Sequence, residues 1–274
     1  MQTGFLKNIN WVQFALINLL VVLFMIVPFL PGPPNKLSSF LGMLGNVTGF
    51  FGLVLVPIGF LWWRFPLVTS IIAAVIILMI NLMLIPGAYG VYGISTAIIA
   101  ALVLLAGIFY SIKIIKKIKN NTGFNLPPLG LYLITIPLIA LGTRVYITKP
   151  MSDYSRNLAI ERGQELVSII EEFKTRQGRY PEIIGELKKD VPGPFVMGID
   201  KFRYTKYNDQ YFLSFSQWPD GGATEEIVLF GKQNPEKRWI SHEEYNYKND
   251  MHRIMGAYAS YDTKHENWRY YLCD

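Results

Sequence analysis

Residues 1–152 contain no aspartate and no glutamate; all 20 carboxylates of the 274-residue chain lie at or after Asp153. That absence argues against a water-facing fold over the first half, because charged residues make up about a quarter of an ordinary soluble domain. A bilayer accounts for it directly, since an ionised carboxylate in hydrocarbon costs several kcal/mol. Cysteine is almost absent too. The single thiol, Cys273, excludes an internal disulfide, so burial must hold any domain together. It reads as a bland terminal thiol with no context for lipid modification or nucleophilic work. Charge as a whole is scarce, at 17% against 51% hydrophobic residues, the balance of a membrane protein.

The net charge of +6 conceals two opposite halves. Residues 1–147 carry 8 Lys/Arg and no acid, whereas residues 148–274 carry 18 Lys/Arg and 20 Asp/Glu. The basic excess therefore flanks apolar segments instead of forming a nucleic-acid surface, and no nucleic-acid partner is expected. The expected organisation is a polytopic domain over 1–147 and an extracytoplasmic α+β domain over 148–274.

Five apolar segments reach the length of about 20 residues that a helical crossing needs. They lie near 11–30, 42–63, 67–84, 94–114 and 129–147. The first has span length and no small-residue cleavage site, so it reads as a retained transmembrane helix and not a signal peptide. The second contains Pro57 and is expected to kink there. Short connections, Arg64–Pro66 and the Gly/Tyr-rich Gly87–Gly93, predict a compact up-and-down bundle. Lys113, Lys116, Lys117 and Lys119 form the strongest basic cluster, which places the loop after the fourth span inside. Alternation then puts the N-terminus inside, the Pro31–Pro34 loop outside and the C-terminal domain outside. The expected location is the cytoplasmic (inner) membrane, with the lipid bilayer as the first partner. Trp11, Trp62, Trp63, Tyr110, Tyr132 and Tyr146 lie near span ends, where aromatic belts sit.

The spans contain uncharged polar residues such as Asn18, Asn46 and Asn81 but no ionisable group near mid-span. Ion-coupled transport usually needs one there. The three asparagines read as interhelical glue, and Gly93, Ala97 and Ala101 as a small-residue packing stripe.

Beyond the last span the pattern changes. Pro150 is expected to end or kink the membrane helix, with Ser152 as N-cap of a new one. Ala159, Gly163, Leu166, Ile170 and Phe173 mark one helical face, and Gly178 a left-handed terminator. A short helix over Glu182–Lys189 is expected to turn Ile183, Ile184 and Leu187 inward. The period then becomes two, giving strands at Phe202–Tyr207, Tyr211–Gln217, Glu226–Phe230 and Arg238–Ser241. The aromatic tail Ala257–Asp274 reads as a terminal strand or as an exposed surface for a partner. The fold class is thus a membrane all-α bundle of about five transmembrane helices followed by a small α+β domain.

The run Leu158-Ala159 through Phe173, then Gln177-Gly178-Arg179-Tyr180-Pro181-Glu182-Ile183-Ile184-Gly185-Glu186-Leu187, resembles the pilin and pseudopilin family, especially type II secretion pseudopilins. The resemblance covers roughly residues 129–242. It implies an apolar anchor, a long helix, a turn with Gly-x-Tyr-Pro and a strand meander. It departs from the family in its polytopic anchor, which has no leader and no glutamate, so assembly by the pilin route is not implied. Some pseudopilins hold calcium in a C-terminal loop; Asp220, Glu225 and Glu226 lie near a Gly-rich turn but lack a calcium-loop spacing.

No catalytic, cofactor or metal site follows from the residues. His242, His252 and His265 with Cys273 match no zinc spacing, and His242-Glu243-Glu244 lacks a second histidine. The expected function is a noncatalytic integral membrane protein whose outer domain binds a protein partner, in an envelope or secretion assembly. The alternatives are a channel or carrier for a neutral or lipid substrate, and a membrane enzyme using the tail histidines.

Overall fold

The computed structural model describes residues 10–120, 129–187, 190–207, 209–219, 224–231 and 257–273. The chain divides into two compact units. One comprises Met1–Val27 and Lys36–Thr148, the other Pro28–Asn35 and Lys149–Asp274. The segment between the first two helices thus belongs with the C-terminal residues, although the sequence assigns it to the membrane half.

In the first unit the helices are α1 (Trp11–Ile26), α2 (Lys36–Gly52), α3 (Leu55–Leu61), α4 (Pro66–Tyr92), α5 (Ile94–Lys119) and α6 (Leu129–Thr143). Asn10 caps α1 by accepting from the Gln13 amide at 3.1 Å. Helix α6 packs against α1, α2 and α3, and α4 pairs with α5. Glycines set the closeness of the α6 seam: a Cβ on Gly49 would lie 2.9 Å from the Ala140 side chain, and one on Gly130 2.9 Å from Trp62. Trp62 is therefore fully buried, not part of an aromatic belt, while Trp11 and Trp63 are exposed. Among the described residues, four helical stretches are long and apolar enough to cross a membrane: Trp11–Phe29, Pro66–Pro86, Ile94–Lys116 and Leu129–Gln177. Helices α2 and α3 form a further apolar pair, bent by 61°.

Three expectations are corrected in this unit. The break in the second apolar segment falls at Leu53–Val54, not at Pro57. A proline ring collides with the carbonyl four residues earlier, which here belongs to Leu53, so the disruption appears one turn upstream. The Gly87–Gly93 connection is helical through Tyr92, and the reversal rests on Gly93 alone, at φ 91°, a conformation that favours glycine. On α5 the buried small residues are Thr96 and Ala100, not the Gly93/Ala97/Ala101 stripe.

Pro150 does not end the helix. A π-helical segment, Arg144–Thr148, follows α6 and runs directly into α7, Lys149–Gln177. The Thr148 hydroxyl donates to the Thr143 carbonyl, five residues back, at 3.3 Å. Proline at 150 leaves the Tyr146 carbonyl without its usual donor, and a π-turn is a recurrent way to absorb such a gap. Ser152 is accordingly a buried helix-interior residue and not an N-cap.

In the second unit α7 lies on a five-stranded antiparallel sheet of order β1-β2-β3-β5-β4. The strands are β1 (Arg203–Tyr207), β2 (Gln210–Gln217), β3 (Glu225–Gly231), β4 (Ala257–Asp262) and β5 (Trp268–Cys273). The tail supplies two strands, and β5 inserts beside β3; the expected strand at Arg238–Ser241 lies outside the described residues. The expected helix at 182–189 is a 3₁₀ turn, Ile184–Leu187, which buries Leu187 and leaves Ile183 exposed. The four residues Ile184–Leu187 make one turn, the short length in which 3₁₀ structure is ordinarily found. Alternate strand positions Leu213, Phe215, Val228, Phe230 and Trp268 meet Ala159, Ile160, Leu166 and Ile170 of α7. Gly163 admits the Trp268 indole, whose ring would lie 2.6 Å from any Cβ there. Gly178, at φ 74°, closes the helix with its amide donating to the Lys174 carbonyl, as the sequence predicts.

Pro28–Asn35 runs against residues 195–198 as a short backbone ladder. The Gly32 amide donates to the Phe195 carbonyl (3.1 Å), Met197 to Leu30 (3.0 Å), Asn35 to Met197 (2.8 Å) and Gly198 to Pro28 (2.7 Å). Pro31 and Val196 form an antiparallel bridge. A Cβ at Gly198 would stand 2.6 Å from the Pro28 carbonyl oxygen, so only glycine lets the two backbones approach this closely. Phe195 holds a positive φ of 52° at the start of the ladder, a conformation that costs a bulky residue of order 1–3 kcal/mol.

Candidate functional site

The densest buried chemistry sits where α7 crosses the ends of β2 and β3. The helix stripe that carries Ala159, Ile160 and Gly163 continues one turn earlier as Ser152, Ser155 and Arg156, all buried. On the sheet, Gln217 follows Leu213 and Phe215 at alternate positions, and Glu226 precedes Val228 and Phe230. Both point to the helix face, and they are register partners. The ends of three apolar stripes are thus polar, and they meet.

Arg156 binds Glu226 with a two-point fork, Nε to Oε1 at 2.6 Å and Nη2 to Oε2 at 2.7 Å. Nη2 also reaches Asp153 at 2.8 Å. The Gln217 amide donates to Glu226 Oε1 (2.7 Å) and to the Ser152 hydroxyl (3.0 Å). Its own oxygen accepts from Ser155 Oγ at 2.8 Å. The guanidinium lies 3.8 Å from the Tyr270 ring centroid, a favourable cation–π position. Burial alone would lower the Arg156 pKa, but the hydrogen bond and charge of Glu226, with help from Asp153, raise it overall. Glu226 is 1% exposed, and a charge that deep is tolerable only with such pairing. This network clamps helix to sheet. It takes Glu226 away from the calcium-type role weighed in the sequence, and Asp220 lies outside the described residues. Glu225 is also buried, on the opposite face of β3.

A second cluster forms at the Gly-x-Tyr-Pro corner. Tyr180 is buried, with its ring 4.8 Å from that of Tyr211 and 4.1 Å from Lys174 Nζ. Tyr211 donates to Glu171 at 3.0 Å, and Tyr204 to the Pro181 carbonyl at 2.7 Å. Burial, reinforced by the Glu171 charge, pushes the Tyr211 hydroxyl far above the ordinary tyrosine range. Burial and the Glu182 charge do the same to Tyr204.

The other residues singled out from the sequence do not converge among the described ones. His265 sits in the turn between β4 and β5, its pKa lowered by burial and by Lys264; His242 and His252 lie outside the described residues. Cys273 is buried at the end of β5. Among the described residues no group of three His, Cys, Asp or Glu side chains is placed to hold a metal ion. Asn18, Asn46 and Asn81, expected as interhelical glue, each donate one side-chain N–H to the carbonyl four residues back in their own helix. A backbone acceptor one turn back is within reach of a helical asparagine. The tail aromatics divide. Trp268 is core, whereas Tyr258 and Tyr261 are exposed on the edge strand β4, with Tyr261 stacked on Tyr270 at 5.1 Å. The sequence contained the signal for the clamp, since Arg156, Gln217 and Glu226 all fall on apolar-stripe positions.

No family model, curated protein or solved structure matches the chain.

Two outcomes follow for the full-length protein in detergent. Glu226→Ala strands the Arg156 charge and is expected to destabilise the C-terminal unit by about 3 kcal/mol, the low end for a broken buried pair because Asp153 remains. The double replacement Arg156→Met/Glu226→Leu is expected to recover most of that loss, read by urea unfolding. The second concerns alkali. Native Tyr204 and Tyr211 keep their protons where unfolded tyrosine, with a pKa of about 10, releases them. Their contribution is therefore complete below about pH 10 and is lost as pH rises beyond it. Absorbance at 295 nm should show these two ionising only with unfolding, and Tyr211→Phe should weaken the pH dependence.

Proposed function

We propose that this is a multi-pass integral membrane protein that displays a pseudopilin-like α+β domain outside the cytoplasmic membrane to bind a protein partner, within an envelope or secretion assembly. The observation that carries the reading is the ladder between Pro28–Asn35 and residues 195–198. A single folded unit lies on one side of a bilayer. Between Asn35 and Lys149 the chain must then cross an even number of times. Helices α4, α5 and α6 offer three crossings, and residues 121–128 are too few for the roughly 20 a helical crossing needs. The bent pair α2–α3 supplies the fourth. Its break at Leu53–Val54 is thus a kink within a span, and the total is five.

The basic residues give the side. Lys113, Lys116 and Lys119 follow the hydrophobic part of α5, so that end is inside. Alternation then assigns both parts of the C-terminal unit to the outside and the N-terminus to the inside.

A binding role is supported by how the domain's polar side chains are used. The Arg156, Gln217 and Glu226 groups are engaged with one another in holding the helix to the sheet, whereas Tyr258 and Tyr261 are exposed. Both tyrosines stand on β4, the last strand of the sheet among the described residues, and an edge strand offers backbone groups to a partner. The long helix, the Tyr180-Pro181 corner and the antiparallel sheet support the pseudopilin-like description.

The test is photo-crosslinking in intact cells, with a photoreactive amino acid replacing Tyr258 or Tyr261 in the full-length chain. The expected result is a discrete protein adduct at these positions and none at Thr205, an exposed residue of the opposite edge strand. Absence of any specific adduct at both tyrosines would reject the partner-binding role.

A further inference from the structure

Helix α5 ends in cations that its own half of the chain cannot neutralise. Lys113, Lys116 and Lys119 follow at three-residue steps in its last two turns, and all three are exposed. Residues 1–152 contain no aspartate or glutamate, so no side chain there offers these ammonium groups a carboxylate. Helices α4 and α5 pair with each other, run 27 and 26 residues and are joined at Gly93. Their far ends are therefore level, and the exposed Arg64, just ahead of α4, adds a fourth positive charge at that end.

Depth along the helix identifies the anion. The apolar stretch of α5 is Ile94–Lys116. At 1.5 Å per residue, Lys113, Lys116 and Lys119 lie about 29, 33 and 38 Å from Ile94. A bilayer's hydrocarbon core is about 30 Å thick, and each headgroup layer adds about 5–7 Å. With Ile94 at one boundary, Lys113 reaches the other, and Lys116 and Lys119 stand at or just past the headgroup layer, where flexible stems can bring their charges to the phosphates. A second copy of this chain cannot match them with its membrane half, which has no carboxylate either. Under the five-span reading every carboxylate of the chain lies across the bilayer from these lysines.

We infer that the lysine-bearing end of α5 is a binding site for the headgroups of anionic phospholipids, of the phosphatidylglycerol class. This rests on the membrane-spanning reading and adds a ligand to it. Each lysine held near an anionic lipid surface strengthens binding by a factor of about five. Three on one helix end are enough to favour an anionic lipid over a zwitterionic one with the same chains.

The experiment uses the full-length protein, purified in a non-ionic detergent and stripped of lipid. It is offered equal amounts of phosphatidylglycerol and phosphatidylcholine with identical acyl chains, and bound lipid is counted by native mass spectrometry. The expected result is a preference for phosphatidylglycerol of about five-fold or more. The triple variant Lys113→Gln/Lys116→Gln/Lys119→Gln should bring that preference close to one, and Lys113→Arg/Lys116→Arg/Lys119→Arg should keep it. Inorganic phosphate added in excess should not displace the bound lipid. Equal retention of the two lipids by the native protein overturns the site. A preference that survives the glutamine variant overturns it as well, as does displacement by inorganic phosphate. Alkaline carbonate washing of membranes separates this failure from failure of the spanning reading: a protein that stays in the bilayer but shows no lipid preference loses only the site, and a protein that is washed out loses both. The comparison of lipids on the native protein stands even if the glutamine variant does not fold.

Discussion

Four backbone hydrogen bonds join Pro28–Asn35 to residues 195–198, and the account of this protein depends on them. They bring a segment from the start of the chain into a unit otherwise made of residues beyond 148. Val196 of this ladder is fully buried in the domain core and Phe29 is buried as well, and the close backbone approach requires Gly198. The strained φ at Phe195 indicates that the surrounding packing over-determines this geometry. A topological reading that treats the first connection as an independent loop would miss the constraint. Under the proposed membrane-spanning reading, it makes the number of crossings between Asn35 and Lys149 even and gives the bent apolar pair α2–α3 the role of one span.

The C-terminal unit is held by two kinds of interaction that divide the length of α7. Toward its C-terminal end the helix meets the sheet through an apolar stripe and the Tyr180–Tyr211–Glu171 corner. Toward its start the same face is polar, and the Arg156–Glu226 fork does the joining. A buried ion pair contributes little net stability over a well-packed apolar pair. What it adds is specificity: a slip of α7 by one residue would leave a guanidinium and a carboxylate buried and unmatched.

Much of this was legible in the sequence. The missing carboxylates and the apolar runs mark the helices that could cross a membrane, and Gly178 marks the end of α7. Local proline rules misled at Pro150, where a π-turn kept the helix going, and at Pro57, where the damage fell on Leu53. The ladder of Pro28–Asn35 had no local signal, because Pro31-Gly32-Pro33-Pro34 reads as a loop whatever its partner. Periodicity reports which face of an element is apolar, not which distant backbone it meets. The clamp was half legible: Arg156 lies on the buried stripe, and so do Gln217 and Glu226, yet the pairing needed the register of β2 with β3.

The most direct measurement compares the sidedness of the two segments the ladder joins. Single cysteines at Pro34 and Thr205, both exposed positions, would be placed one at a time in a Cys273→Ser background. A membrane-impermeant maleimide would then be added to intact cells. The account predicts that both cysteines are labelled before permeabilisation. Labelling of one before and the other only after permeabilisation would place the two segments on opposite sides of the bilayer, and it would contradict the even-crossing topology on which the proposed function stands.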